Sequence, residues 1–481
     1  MSTTPATTPA LERRLSALDA AAIVVSNVIG GGILFTPPQV AGMVPHPVLF
    51  LGTWLAAGVL AFAGAMAYAE LAALRPRAGG EYVYLHAGFG RVAAFLTGWT
   101  SFVAGFSGAI AASAVVLAFY LGRFLPIAGS DQVLLSLPLG PIALTLSPQS
   151  VTALVAIWGM SWIHLRGVGP GRLVGNVLAS LKVTALVLFI VLGFAFGTGS
   201  MANLSTAATT PSAGAWLFAL VPVLFTYAGW NAASYVAEEV RDPGRNVPRA
   251  LALGTVAVVV LYFFLNALYL YVLPVSDLAA VRGSVLDVIA DRLLGSRAGD
   301  IMGVVSIVSL LASISAMVFA GPRVYYAMAR DGVFFPAAAR VHETYRTPAV
   351  SILAQAAWSS LLVLTGSANA LTTYTGFSIT LFNGVAVAAL FVLRWREPSA
   401  PRPYSTWGYP VVPGLFVVVC TLIVGNALWT DLGRPLMAGT SVGPSAAGLL
   451  IIALGLLYAW FTRRTAAVRR RPAHAAGVSC G

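Results

Sequence analysis

An all-α protein of membrane-spanning helices is the fold class this sequence predicts, and three observations predict it. Hydrophobic residues make up 58% of the chain and charged residues 9%, whereas a soluble domain carries about 25% charged residues. A spanning helix needs about 20 mostly apolar residues, and such runs recur twelve times, centred roughly on residues 30, 60, 107, 157, 186, 227, 261, 312, 358, 383, 420 and 454. The arginines divide unevenly between alternate connections. With the N-terminus placed inside, 22 fall in cytoplasmic segments, among them Arg13, Arg166, Arg241, Arg330, Arg394 and Arg469 to Arg471. Five fall opposite: Arg123, Arg282, Arg292, Arg297 and Arg434. Cytoplasmic loops are the ones enriched in Lys and Arg, so both termini are expected in the cytoplasm.

This distribution also accounts for the net charge of +12 without nucleic acid, because the arginines form no basic face. The triple-arginine tail is expected to meet anionic headgroups or water. Cys420, in an apolar run, and Cys480, next to the C-terminus, are not expected to form a disulfide framework. Residues 1–14 are polar and lead straight into the first apolar run, so no cleavable leader is expected. His46, His86, His164, His342 and His474 are dispersed without metal-ligand spacing, and HExxH, GxSxG and P-loop motifs are missing. No metal, cofactor, enzyme or ATP-driven pump is therefore indicated.

Taken in order, the first run contains NVIGGGILFTPP, residues 27–38. Each glycine weakens a helix by around 1 kcal/mol relative to alanine, and Pro37 and Pro38 follow closely. Small residues that serve helix packing are usually spaced four apart; this cluster predicts a break that bares backbone N–H and C=O groups. PRAGGEYVY, residues 76–84, reads as a cytoplasmic connection in which Glu81 is structural. The fifth run holds SLKVTAL, residues 180–186, and Lys182 is the only lysine in the chain. At 1.5 Å per residue it lies about 12 Å inside its helix. Either its stem snorkels back to the interface or its ammonium points into the bundle. The sixth run, FTYAGWNAASYVAEE at 225–239, is interrupted by Thr226, Tyr227, Asn231 and Ser234. Glu238 and Glu239 at its end are expected to pair with Arg241 and Arg245. The stretch SVLDVIADRLLG within Ser276–Asp300 reads as an amphipathic surface helix. Ser306, Ser309, Ser313 and Ser315 line the eighth run.

Interrupted helices at corresponding positions of two halves point to the site of a secondary transporter built on inverted repeats. Helix N-termini at such breaks attract a carboxylate and freed carbonyls accept from an ammonium, so a zwitterion such as an amino acid suits both. Here the sequence resembles a known family. NVIGGGILFTPPQV and FTYAGWNAASYVAEEVRDPGRNVPRAL are similar to the first- and sixth-helix signatures of the amino acid–polyamine–organocation (APC) transporters. PRAGGEYVYLHAGFG at 76–90, ARDGVFFPAAARVHETYRTP at 329–348 and RPYSTWGYPVVP at 402–413 support the likeness, which covers roughly residues 16–460.

The resemblance implies an all-α membrane protein of twelve transmembrane helices with a LeuT-like 5+5 inverted repeat, helices 1 and 6 discontinuous. The expected division is a tail at 1–14, repeats at 15–197 and 213–396, two peripheral helices at 409–463, and a basic tail at 464–481. It also implies a substrate carboxylate at the N–H groups of Gly30, Gly31 and Gly32. The ammonium would meet carbonyls of Val28, Ile29, Phe225, Thr226 and Ala228, with Asn231 a side-chain contact. Phe225 would gate the site with Trp230, although Trp230 on its own residues is either a pocket wall or core. Lys182 would stand where sodium-coupled relatives of the fold hold sodium, tying the first helix to Ser313 or Ser315 of the eighth. Lysine, unlike arginine, can give up its proton when desolvated, which opens coupling to protons.

The expected activity is thus sodium-independent secondary transport of amino acids in a bacterial inner membrane, by proton coupling or exchange. The branch resembled is the L-type one. A neutral substrate is expected, because spans three, eight and ten hold no Asp or Glu and an unpaired buried cation is costly. A cationic amino-acid or polyamine carrier stays open within the family, and a membrane receptor or channel outside it. Residues 122–149 contain no cysteine, so no disulfide-linked heavy subunit is expected.

Overall fold

The computed structural model describes residues 11–139, 142–205, 209–366, 368–438, 443 and 445–469. The described chain is helical apart from one antiparallel hairpin, β1 (Leu135–Leu139) with β2 (Ile142–Leu146). The expected tail arginines Arg470 and Arg471, and Cys480, lie outside the described residues.

The first apolar run folds as two helices, α1 (Ala17–Val28) and α2 (Gly32–Met43), bent by 50° at the glycines between them. Ser16 and Asp19 start α1 with a reciprocal capping box, each side chain accepting from the other's backbone N–H at 3.2 and 2.8 Å. Next come α3 (Pro47–Leu74) and the short α4 (Glu81–Phe89). Then α5 (Arg91–Thr100) runs through a π-helical turn into α6 (Phe106–Gly122). Helices α7 (Pro148–Leu165) and α8 (Val168–Phe196) complete the first half.

The second half opens with α9 (Ala213–Thr226), which stops and gives way to the four-residue α10 (Ala232–Tyr235). Helix α11 (Pro243–Val272) follows, then the surface pieces α12 (Val275–Ala280) and α13 (Val285–Leu294). The last of these is the amphipathic stretch expected from the sequence, burying Val285, Leu286, Ile289, Ala290 and Leu293. The chain ends with α14 (Ser296–Arg330), α15 (Ala349–Leu364), α16 (Ala368–Arg396), α17 (Val411–Leu428), α18 (Arg434–Ala438) and α19 (Ser445–Arg469).

Seven stretches are long and apolar enough to cross a membrane, and the bent α1–α2 pair makes an eighth. The remaining apolar runs fall on α7 and on the shorter α9, α15 and Ser445–Ala459. Helix α1 is held among α8, α11 and α14. Its approach to α11 needs Gly254, where a β-carbon would stand 2.7 Å from Val24 Cβ.

The end of the sixth run differs from expectation. Glu239 pairs with Arg323 of α14 at 2.7 Å with both side chains buried, and Glu238 pairs with Arg330 at 2.8 Å. Helix α14 packs against α10 and brings Arg323 and Arg330 to the two carboxylates in place of Arg241 and Arg245. The Arg323 guanidinium also lies over the Phe319 ring at 3.9 Å, and the Glu239 carbonyl accepts from the N–H groups of Arg14 and Leu15 at 2.9 Å. A buried ion pair that loses one partner leaves an uncompensated charge, at a cost of about 3–5 kcal/mol. Arg323→Ala should therefore unfold at markedly lower temperature in detergent. Arg330→Ala, whose pair is half-exposed, should move the midpoint little, about 0–1 kcal/mol.

Candidate functional site

The two interruptions face one another. The α1 carbonyl end and the α2 N-terminus meet across Ile29–Gly31, and the segment Tyr227–Asn231 separates α9 from α10. Gly229 sits at φ +104°, where a β-carbon would stand 3.0 Å from Asn27 Cβ. Glycine is thus required there twice over, for its backbone conformation and for the close approach of the two breaks. Gly32 is as tight, its missing β-carbon falling 3.0 Å from Thr226 Cγ2, while at Gly31 nothing lies within 4 Å.

A cavity of about 410 Å³ opens between the breaks. Of the residues named from the sequence, Val28, Gly30, Gly31 and Gly32 line it from the first break. Phe225, Thr226, Ala228 and Asn231 line it from the second, and Ser313 from α14. The Phe225 ring lies against Gly376 of α16, whose β-carbon would come within 3.0 Å of Phe225 Cδ2. In the first turn of α2 the Leu34 N–H donates to Gly31 O at 3.1 Å, helix geometry gives the Gly32 and Ile33 N–H groups no intrahelical acceptor, and the turn carries the positive end of the dipole.

Three expected residues lie elsewhere, each for a visible reason. Ile29 is buried, and its carbonyl already accepts from Lys182 Nζ at 2.5 Å, Ser313 Oγ at 3.0 Å and Ser309 Oγ at 3.3 Å. It has no lone pair left for a substrate ammonium. Trp230 packs edge-on against Tyr68 at 4.9 Å and against Phe416 at 5.7 Å, away from the cavity, so it is core rather than gate. Ser315 meets His164 Nε2 at 2.9 Å instead of Lys182. At 100° per residue, Ser313 and Ser315 point about 200° apart on α14, and only one of them can face α1. The i, i+4 partner of Ser313 is Ser309, which that spacing would have picked out.

Lys182 is fully buried and does not snorkel. Its ammonium donates to the carbonyls of Ser26 at 3.3 Å and Ile29 at 2.5 Å, the orphan acceptors at the negative end of the α1 dipole. Ser313 Oγ donates to the same two carbonyls, at 2.9 and 3.0 Å. One cation and one hydroxyl thus fix the end of α1 to α8 and α14.

Two residues go beyond the sequence reading: Tyr262, which it did not name, and Glu81, which it took as structural. Tyr262 of α11 donates its hydroxyl toward Val28 O at 3.0 Å and Thr226 O at 3.4 Å, joining both breaks. Val28 O is thereby engaged before any ligand arrives. Glu81 also lines the cavity. Its Oε1 accepts from Tyr235 OH at 2.7 Å and Asn231 Nδ2 at 3.0 Å. The Asn231 amide also faces Asn383 Oδ1 at 3.2 Å, which accepts from Tyr68 OH at 3.1 Å. Among the described residues no group of His, Cys, Asp and Glu is placed to hold a metal.

The chain is similar over most of its length to known transporters. It is 28% identical over 458 residues to the large neutral amino acids transporter small subunit 2 of Mus musculus, covering 93% of this chain and 82% of the relative. To the serine/threonine exchanger SteT of Bacillus subtilis (strain 168) it is 27% identical over 445 residues, covering 91% and 96%. To the Asc-type amino acid transporter 1 of Mus musculus it is 26% identical over 456 residues, covering 93% and 82%. The family model described as amino acid permease matches residues 15–464. With two facing helix breaks around one cavity and that match across nearly the whole chain, the protein belongs to the amino acid permease family and is a transporter, not an enzyme.

Proposed function

We propose that the protein is a sodium-independent carrier of neutral amino acids that works by alternating access, in exchange or with protons. The observation that carries this reading is the Lys182 ammonium bound to the carbonyl end of α1 beside Ser313. A tethered cation there does the work of a free one, so the first helix stays ordered without external sodium. The relatives' names, one for large neutral amino acids and one for serine and threonine exchange, support the substrate class. In this reading the chain crosses the membrane twelve times as two five-helix repeats, 15–197 and 213–396, with peripheral helices in 409–463. Both termini face the cytoplasm, and the membrane is a bacterial inner one.

The substrate carboxylate would lie at the N-terminus of α2, over Gly31 and Gly32. Its ammonium would meet the carbonyls of the second break, at Phe225, Thr226 and Ala228, where Phe225 O and Thr226 O each accept one donor and keep a lone pair, whereas Ile29 O already takes three. Glu81 favours a second reading, a cationic amino-acid or polyamine carrier, because it puts a carboxylate on the cavity wall.

Counterflow of labelled L-alanine, L-serine and L-leucine in proteoliposomes separates these readings from each other and from a channel. We expect trans-stimulated uptake of a neutral amino acid, unchanged when choline replaces sodium. Loss of counterflow in choline overturns sodium independence. Arginine or putrescine outcompeting the three neutral amino acids overturns the neutral substrate.

A further inference from the structure

We propose that Glu81 is a proton-binding site in the cavity wall, holding one proton while it is shut in with substrate and releasing it when that side opens to water. The proposal rests on the transport reading above. Glu81 comes from α4, in the connection between α3 and α5, and reaches the cavity where Asn231 and Tyr235 of the second break bind it. It takes part in no ion pair among the described residues.

Cations on neighbouring elements are committed elsewhere. On α14, Arg323 holds Glu239 and Arg330 holds Glu238. On α16, Arg394 holds Glu70 and Arg396 donates to Gly88 O at 2.9 Å. Ahead of α4, Arg77 holds Asp331, whose carbonyl accepts from Arg91 of α5 at 3.4 Å. His86, further along α4, packs toward Tyr82 at 6.2 Å. Lys182 is spent on Ser26 and Ile29. What faces Glu81 is uncharged: the phenols Tyr68, Tyr84 and Tyr235 and the amides Asn231 and Asn383.

A half-buried carboxylate on a cavity wall with no cation beside it is expensive to keep ionised. Burial pushes the Glu81 carboxyl up to about 7, against the Tyr235 and Asn231 donors, which pull it down. The group is therefore protonated below about pH 7 and ionised above. Protonation on Oε2 leaves both bonds to Oε1 intact, so the proton is taken up without dismantling the network.

The surroundings suit a proton better than a substrate's cationic side chain. An ammonium brings three N–H donors and a guanidinium five, each needing an acceptor. Here Oε1 already accepts twice and Asn383 Oδ1 accepts from both Tyr68 and Asn231. A proton needs one lone pair.

Two measurements test this, on the full-length protein. The first is the difference acid–base titration of purified wild type against Glu81→Gln. We expect one extra proton bound by wild type with a midpoint near 7; a midpoint near the ordinary carboxyl value, about 4.5, overturns the proposal. The second is uptake of labelled L-serine into proteoliposomes with and without an inward proton gradient of about two pH units, which at one proton per substrate can drive accumulation about tenfold per unit. Wild type should accumulate at least about fivefold more label with the gradient, Glu81→Gln should show no response, and Glu81→Asp should recover part of it. A gradient response retained in Glu81→Gln, or absent in wild type that transports L-serine, overturns the proposal. So does L-arginine binding to wild type and not to Glu81→Gln, which assigns the carboxylate to a substrate cation. A titration midpoint near 7 in a protein that carries no amino acid leaves the proton site standing and sinks the transport reading alone.

Discussion

Lys182→Ala is expected to lower the transport rate about 30- to 150-fold while the protein still inserts and purifies as one species. The estimate follows from what the ammonium holds. Hydrogen bonds to charged groups are worth about 1.5–3 kcal/mol, and this cation makes two, to Ser26 O and Ile29 O. With the relief of the ammonium's desolvation set against the two bonds, a net loss of about 2–3 kcal/mol from the ordered state of the break thins the competent population by that factor. The fold should survive, because removing a buried charge also removes its desolvation penalty, and Ser313 Oγ still reaches both carbonyls. Lys182→Met separates the charge from the packing, since methionine fills most of the lysine stem's volume. It should be as slow as Lys182→Ala yet thermally closer to wild type. Lys182→Arg should also fail, because a planar fork does not fit a point-charge site between two carbonyls. Wild-type rate in Lys182→Met would show that the stem, not the ammonium, matters.

How far this site was legible in the sequence depended on whether the signal was local. Three glycines followed by two prolines announce the first break because each residue acts on its own stretch of backbone. Lys182 stood out by charge alone, in a run where any charge needs a partner. Tyr262 left no such mark. It sits in the apolar stretch LYFFLN, and its hydroxyl matters only because α11 packs beside α1 and carries it to Val28 and Thr226. Glu81 reads from the sequence as structural, and its bonds to Asn231 and Tyr235 agree, but its place on the cavity wall is invisible locally because Asn231 lies 150 residues away. Trp230 was balanced between wall and core, and the decision came from Tyr68 and Phe416, both distant in sequence. Ser315 is different, since helical periodicity alone separates it from Ser313.

Gly31→Val is expected to weaken apparent substrate affinity at least about 100-fold, with the thermal midpoint nearly unchanged; a carboxylate held at a helix N-terminus by charge-assisted N–H bonds stands to lose about 3 kcal/mol if it cannot reach them. The position makes this a clean probe. Gly31 has helical φ and ψ of −63° and −26°, so a side chain is tolerated by the backbone, and its β-carbon meets nothing within 4 Å. The added methyl groups therefore project into the cavity at the first turn of α2, where the carboxylate is placed. Gly32→Val behaves differently because Thr226 stands 3.0–3.2 Å from the new β-carbon, backbone included. It forces the two breaks apart, and overpacking of this kind costs about 1–3 kcal/mol of stability, so its loss of transport alone could not locate the substrate. Gly31→Ala, smaller by two methyl groups, should fall between wild type and Gly31→Val in affinity. The comparison is made by competition of unlabelled amino acid against uptake, alongside melting curves of the same preparations. Wild-type affinity in Gly31→Val would move the carboxylate away from the α2 N-terminus and leave the carbonyls of the second break as the site's main polar contacts.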